Sequence, residues 1–303
     1  MKRYAFLILS AAILTGCTDI RTRLSPDILA ADTGAVTHFA AHTSQDEPVI
    51  TAEAPDCLLM PDALRGAAGA EISTGHLSLL AVSGNPCGIT EQYLQAQYLA
   101  PTCAVLSVPQ DACAMLKDGI LPTPDEIKAA VDTGMLPSRT ADTAVGDLWS
   151  GTGITAFCAY ENGALTLALW DADGKHGTLS PDACRGLALF GQQYETFAFE
   201  AGGAVFRLQK CAPALHLRMD DRLHITVSGQ FSAAPPLTDT AGDRLREMLA
   251  AAMQETVCDA GADLLFLHEA ALRDHIPDAS HLTQEKRRAV LQNADYQICI
   301  KCA

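Results

Sequence analysis

Residues 238–259 read TDTAGDRLREMLAAAMQETVCD, and after Ala260 the chain continues GADLLFLHEA over residues 261–270. In the first stretch Leu245, Met248, Leu249, Ala252, Met253 and Val257 recur at helical spacing, with Arg244, Glu247 and Glu255 off that face. The spacing predicts the longest helix of the chain over Thr238–Asp259, with an apolar stripe that has to be covered. Gly261 supplies a C-terminal stop. Leu264–Leu267 follows as a buried strand or turn.

Alternating runs lie to either side of this helix. Leu223-His224-Ile225-Thr226-Val227-Ser228 and Tyr296-Gln297-Ile298-Cys299-Ile300-Lys301 alternate as half-exposed strands. Glu195–Glu200, Ala204–Leu208 and Leu215–Arg218 read as three further strands, and Leu282–Leu291 as a polar helix. Ile154–Tyr160 and Ala164–Leu169 flank Asn162-Gly163, a strong hairpin signal. Ser180 and Pro181 open a helix through Leu189. Upstream, Val36–Ala41 and Val49–Ala52 read as paired strands, Leu58–Ala70 as a helix, and His76–Val82 and Cys103–Val108 as buried strands. Further helices are expected from Thr90 to Leu99, from Asp111 to Lys117 and from Pro122 to Ala130. The expected class is α+β: a multidomain mixed α/β body with antiparallel-rich sheets flanked by helices, behind an N-terminal lipoprotein signal peptide. The expected divisions are a signal peptide at 1–16, an N-terminal α/β domain at 17–138, a linker at 139–150 rich in Thr, Ser, Asp and Gly, and a C-terminal α/β domain at 151–303. A further subdivision near residue 236 is left open.

The chain has 303 residues, 49% hydrophobic and 19% charged, which excludes a disordered tail and a polytopic membrane protein. Its net charge of -15 makes it a poor candidate for nucleic-acid binding, because phosphates need a basic face. Eleven cysteines leave one over after pairing.

The N-terminus accounts for the odd cysteine. Lys2 and Arg3 precede the run Ala5–Leu14, which is too short to span a bilayer but fits the apolar part of a secretory signal. Leu14-Thr15-Gly16-Cys17 resembles a bacterial lipobox. Such a cysteine takes a diacylglyceryl thioether and becomes the first residue of the mature chain. Two acyl chains at about 0.8 kcal/mol per buried methylene suffice to hold a protein on a bilayer, where one chain is marginal. The body is then expected outside the cytoplasm, held by lipid on Cys17 and not by charge, since its acidity is repelled by an anionic leaflet.

Motifs that would carry catalysis do not hold up. Gly151-Thr152-Gly153-Ile154-Thr155-Ala156 matches a dinucleotide fingerprint by letters, but a polar loop precedes it and a strand follows. Asp171-Ala172-Asp173-Gly174 is better read as a hairpin turn than as a calcium loop, because its Gly falls at the fourth position and not the sixth. His38 and His42 are four apart but on a strand and without a Glu between them. Cys299-Ile300-Lys301-Cys302 ends a strand, where a redox pair needs a helix N-terminus. His268 with Glu269 and His275 with Asp274 read as solvated charges at helix ends. The remaining thiols lie mostly in apolar runs and read as small hydrophobes, with disulfide pairing left open. The chain is expected to be no enzyme and to hold no cofactor or metal beyond the covalent lipid.

Taken together, these segments resemble the C-subunit lipoproteins of spore germinant receptors, the GerAC-like or Ger(x)C family. The likeness follows the order of the segments along nearly the whole chain. Gly16-Cys17-Thr18-Asp19, with Leu24 and Ile28-Leu29-Ala30, is similar to the family's lipidated start, with Thr18 where the family has Trp. Gly75–Gly84 is similar to an early His-containing strand, and Cys103–Gly119 to the next strand and helix. Gly153-Ile154-Thr155-Ala156-Phe157 with Asn162-Gly163 is similar to a family hairpin, and Cys184-Arg185-Gly186-Leu187 matches its Arg-Gly-Leu. Gly261-Ala262-Asp263 through Glu269 is similar to the Gly-Ala-Asp segment that follows the family's long helix. The chain departs from the family in being short, rich in Ala and Cys, and without the Trp before the last strand or the Arg-x-Gly tail. The resemblance implies a subunit on the outer face of the cell membrane or spore inner membrane. It would assemble with two polytopic membrane subunits and act in nutrient-triggered germination. Gly261, Ala262, Asp263 and Glu269 would be structural or interfacial, with Gly261 making a turn, Asp263 a cap, and Leu264–Leu267 part of the core. The rival reading is an extracytoplasmic solute-binding lipoprotein.

Overall fold

The computed structural model describes residues 23–43, 48–276 and 281–302. The expected signal peptide and the expected lipobox residues Leu14, Thr15, Gly16 and Cys17 lie outside the described residues. In chain order the elements are β1 (Arg23–Leu24), β2 (Ile28–Asp32), β3 (Thr37–His42), β4 (Ile50–Ala54), α1 (Met60–Ala68), β5 (Glu71–Ile72), β6 (Leu79–Ser83), α2 (Pro86–Gln95), β7 (Ala104–Val108), α3 (Ala112–Lys117), α4 (Pro124–Asp132) and α5 (Ala141–Ser150). There follow β8 (Thr155–Glu161), β9 (Ala164–Trp170), β10 (Lys175–Thr178), α6 (Pro181–Gly191), β11 (Ala198–Ala201), β12 (Ala204–Met219), β13 (Leu223–Ala234), α7 (Asp239–Ala252), α8 (Leu267–Arg273), α9 (Gln284–Gln292) and β14 (Asp295–Cys302). A π-helical turn, Met253–Asp259, extends α7.

Eight strands form one sheet in the order β10-β9-β8-β7-β6-β2-β3-β4. Its centre is parallel (β2, β6, β7, β8) and both flanks are antiparallel. The central strands read as unbroken apolar runs because both faces are covered. Leu29, Ala31, Leu80, Val82 and Val105 turn to one side, into a core with Met60, Leu64, Tyr93, Ala141 and Ala144. Ile28, Ala30, Leu79, Ala81 and Leu106 turn to the other side, into the larger core. That larger core continues through α6 and α7 to Phe206, Ile225, Val227, Phe231 and Ile300 of a second sheet, ordered β11-β12-β13-β14. The molecule therefore stacks helices, sheet, helices and sheet in an α+β arrangement rich in antiparallel pairs. Among the described residues no helix is long and apolar enough to cross a membrane.

The boundary expected at 139–150 is corrected. Residues 141–150 are the helix α5, opened by a reciprocal cap between Thr140 and Thr143. Strands β8–β10, from beyond this segment, pair into the sheet begun at β2. Thr140 and Thr143, which suggested a linker, form the cap of this helix. Three smaller expectations also change. The helix assigned to Thr90–Leu99 spans Pro86–Gln95 with Asn85 as its cap, its side chain accepting from the Cys87 amide. The runs 204–208 and 215–218 are parts of one strand, β12, which passes through a bulge between Leu208 and Lys210. The last seven residues of the long helix are a π turn. The other hairpin and cap signals describe the local structure: Asn162 and Gly163 hold φ 53° and 79° between β8 and β9, and Thr123 and Ser180 cap α4 and α6.

The layers meet most closely at Gly186, where a Cβ would lie 2.1 Å from the Met248 carbonyl oxygen and 2.8 Å from the Ala252 Cβ. Gly186→Ala is expected to force α6 and α7 apart and to cost about 1–3 kcal/mol or more. Gly66→Ala, in a helix with no atom near the added methyl, should be neutral or stabilise by about 0.4–1 kcal/mol. Paired thermal melts of the two variants check this contrast.

Candidate interaction site at the Gly261–Ala270 segment

Gly261 ends the long helix with φ +68°, a left-handed value that favours glycine. A Cβ there would lie 2.6 Å from Arg288 Cγ and 3.0 Å from the Arg288 carbonyl oxygen, so the missing side chain also lets α9 pack against the turn. Ala262 is fully buried, and its amide donates to the Thr256 carbonyl at 2.7 Å. The Asp263 carboxylate accepts from the amides of Leu267 at 2.6 Å and His268 at 2.9 Å, which caps α8 from four residues before its first residue. Burial pushes the Asp263 carboxyl up, and those two amides pull it down against that rise.

A buried charge pair lies near the segment, its Arg139 lining the same cleft. The Arg139 guanidinium contacts the Asp147 carboxylate, with both side chains less than a tenth exposed. The Thr155 hydroxyl donates to the same carboxylate at 3.1 Å, and Arg139 Nε donates to the Ala156 carbonyl at 3.3 Å. Burial raises the Asp147 carboxyl while Arg139 and Thr155 oppose the rise. Side chains of α9 meet the carbonyls at the end of α5 and in the loop after it. Gln284 Nε2 donates to Leu148 at 2.8 Å, Arg287 to Gly151 at 3.4 Å and Arg288 to Thr152 at 3.2 Å. Arg288 also reaches Asp171 at 3.3 Å.

The segment forms one wall of an open cleft of about 670 Å³. Arg139, Gln193, Leu215, Phe266, Glu269 and Arg273 are among its lining residues. Phe266 sits at φ +57° and is 58% exposed. A phenyl side chain held in the left-handed region and turned to solvent costs of order 1–3 kcal/mol, and such strain collects at functional sites. Glu269 is exposed one turn further on. The motif thus divides by role. Gly261, Ala262 and Asp263 build the turn and helix start, and Glu269 faces outward beside Phe266. Sequence reading placed the segment but missed Phe266, because a left-handed backbone leaves no trace in hydropathy.

The other residues singled out from sequence stay apart. On β3, His38 lies 3.5 Å from Glu53 and His42 lies 3.0 Å from Asp27. Cys299 and Cys302 are exposed free thiols on β14. The Asp171 loop closes the β9–β10 hairpin, its carboxylate accepting from the amides of Asp173 and Gly174 and meeting His176 Nε2 at 2.6 Å. Burial raises this carboxyl, but the His176 contact and the two amides outweigh it and hold it below the ordinary value. The Gly151–Ala156 fingerprint follows a helix and precedes a strand, the reverse of the order a dinucleotide needs. His268 is part-buried, and its ring is pushed down by burial and by Arg287.

No family model matches the chain, and no curated protein matches it. Among solved structures it is similar to the crystal structure of the GerBC protein at 12% identity, covering 90% of this chain and 95% of that one with a TM-score of 0.53. The chain has a Ger(x)C-like fold.

Asp263→Ala is expected to lose about 1–2 kcal/mol through the missing cap, and Asp263→Asn less, since one acceptor remains. A buried carboxyl raised on folding binds its proton more tightly in the folded state. Its contribution to stability therefore falls as pH rises from the ordinary carboxylate value through the raised one. Denaturant titrations across that range should show a weaker pH dependence in Asp263→Asn. Phe266→Gly is expected to keep or raise the melting temperature, by up to about 1 kcal/mol of stability, which a calorimetric scan checks.

Proposed function

We propose that the chain is a non-enzymatic, lipid-anchored C-subunit of a spore germinant receptor that acts in nutrient-triggered germination. The observation that carries this reading is the likeness of fold to GerBC along nearly the full length of both chains. The lipobox Leu14-Thr15-Gly16-Cys17 supports the anchor. Cys17 would carry the diacylglyceryl thioether, with palmitate-type acyl chains, on the outer face of the cell membrane or spore inner membrane. Two polytopic membrane subunits would be its partners, and the Phe266–Glu269 surface would be one contact with them. An exposed aromatic side chain on a rigid turn has the character of an interface anchor.

The cleft of about 670 Å³ falls within the size range of small-ligand pockets, about 300–1,000 Å³. It favours, as second reading, an extracytoplasmic solute-binding lipoprotein.

Deleting the gene should slow or abolish germination on nutrients while germination by agents that bypass receptors is kept. Normal nutrient germination after deletion would overturn the receptor reading. Cys17→Ala should abolish incorporation of labelled palmitate into the chain, and a variant that stayed acylated would overturn the anchor. Phe266→Gly should fold as the parent does yet fail to rescue the deletion. Loss of nutrient uptake with intact germination would favour the solute-binding reading.

A further inference from the structure

Besides the two-stranded pairing of β1 with β5, the eight-stranded and four-stranded sheets have four edges, and three of them are blunted. β10 and β11 are four residues long, β10 is also irregular between Lys175 and Gly177, and β4 has five residues. The fourth edge, β14, is eight residues long. It runs in unbroken register against β13 with neither bulge nor proline, and among the described residues β13 is its only strand partner. Natural sheets protect such edges because a regular row of free amides and carbonyls pairs readily with another strand.

The side chains of β14 specify which strand fits. One face carries Tyr296 and Ile298, half-buried, and Ile300, buried on the core. The other face carries Asp295, Gln297, Cys299 and Lys301, all exposed. Among the described residues Lys301 lies within ion-pair distance of no carboxylate, whereas Asp295 meets Arg222 at 3.1 Å with half of its side chain exposed. An acidic residue at one end and a free cation six positions on make the strand complementary to itself when reversed.

We propose that β14 is a self-association edge, where a second copy of this chain adds antiparallel about a twofold axis through Ile298. In that register Asp295 stands opposite the partner's Lys301 twice over, Gln297 opposite the partner's Cys299, Tyr296 opposite the partner's Ile300, and Ile298 on Ile298. Every pair keeps its face, so both apolar layers run on as one. The contact is isologous and closes at two copies. Opposite charges placed directly across strands add to it, and anchoring two chains in one membrane would raise their effective concentration. The proposal does not depend on the receptor reading, since it rests only on the edge and its residues.

The test uses the acylated full-length chain in detergent, carrying Gln297→Cys together with Cys302→Ser, under mild oxidation. The expected result is a covalent dimer that disappears when Cys299→Ser is added. Lys301→Asp sets two like-charged pairs opposite each other and should lower the dimer yield about three- to tenfold. Adding Asp295→Lys to that variant should restore it. Unchanged melting temperatures would show that each variant folds. Absence of a covalent dimer, a dimer that persists without Cys299, or no recovery in the charge swap would each overturn the proposal.

Discussion

The close approach of α6 to α7 at Gly186 is the constraint on which the rest of the structure depends. These two helices form the layer between the sheets, and the larger core runs unbroken from β2 through them to β14. At the crossing a methyl group would overlap the Met248 carbonyl. Two polar ties fix the crossing in place, and a third ties α6 to the second sheet. Ser180, the cap of α6, donates its hydroxyl to Glu255 at 2.5 Å and its amide to the same carboxylate at 2.8 Å. Asp182 in the first turn of α6 pairs with Arg244 on α7. Arg185 lies over the Phe197 ring at 4.7 Å and donates to the Ala198 carbonyl, joining α6 to β11. The Arg-Gly-Leu of the sequence is therefore a packing motif: an arginine tying helix to strand, a glycine setting the helix separation, and a leucine in the core.

The Gly-Ala-Asp segment solves a related problem at the end of α7. The chain has to leave a helix, turn under α9 and start α8 without stranding amides. Gly261 permits the turn and the approach of α9, and Asp263 satisfies the first amides of α8. The arginines and glutamine of α9 in turn satisfy carbonyls at the end of α5 and in the loop after it. Polar groups buried at this junction are expensive unless paired. The Arg139–Asp147 pair is a case where removing one partner would cost far more than the pair contributes. A junction held this tightly is able to carry Phe266 in a strained, outward position.

Much of this was legible in the sequence because its signals are local. Asn162-Gly163, Thr123-Pro124, Ser180-Pro181 and the stripe from Leu245 to Val257 each reflect physics within one or two turns of chain. The linker reading of 139–150 failed because Thr140 and Thr143 satisfy amides of the same helix, and composition alone does not separate a cap from a loop. The single strand β12 was read in two parts because a bulge at Gln209 and the proline at 213 break the alternation in its middle, and its pairing with β13 is a long-range fact. The order of strands in the large sheet, which joins β7 to β8 across α5, was likewise out of reach. Phe266 was invisible for a further reason: hydropathy marks it as core, and only the backbone angle and the turn beneath it bring it out.

The composition also takes on a physical meaning. Only 6% of the chain is aromatic, and strands β2, β3 and β6 bury Ala30, Ala31, Ala40, Ala41 and Ala81 completely. Small side chains bring layers close, and close layers gain dispersion contacts that larger residues would otherwise supply. The cysteines follow the same logic. All ten thiols of the described residues are free. Burial pushes those of Cys87, Cys103 and Cys158 up to about 12 and those of Cys184 and Cys211 up to about 11. A thiol so protonated is a poor nucleophile and behaves as a small apolar group. The body is therefore held by the fit of small residues and not by cross-links. Its stability should be sensitive to added volume at Gly186 or Gly261 and indifferent to reductant, even in an oxidising compartment.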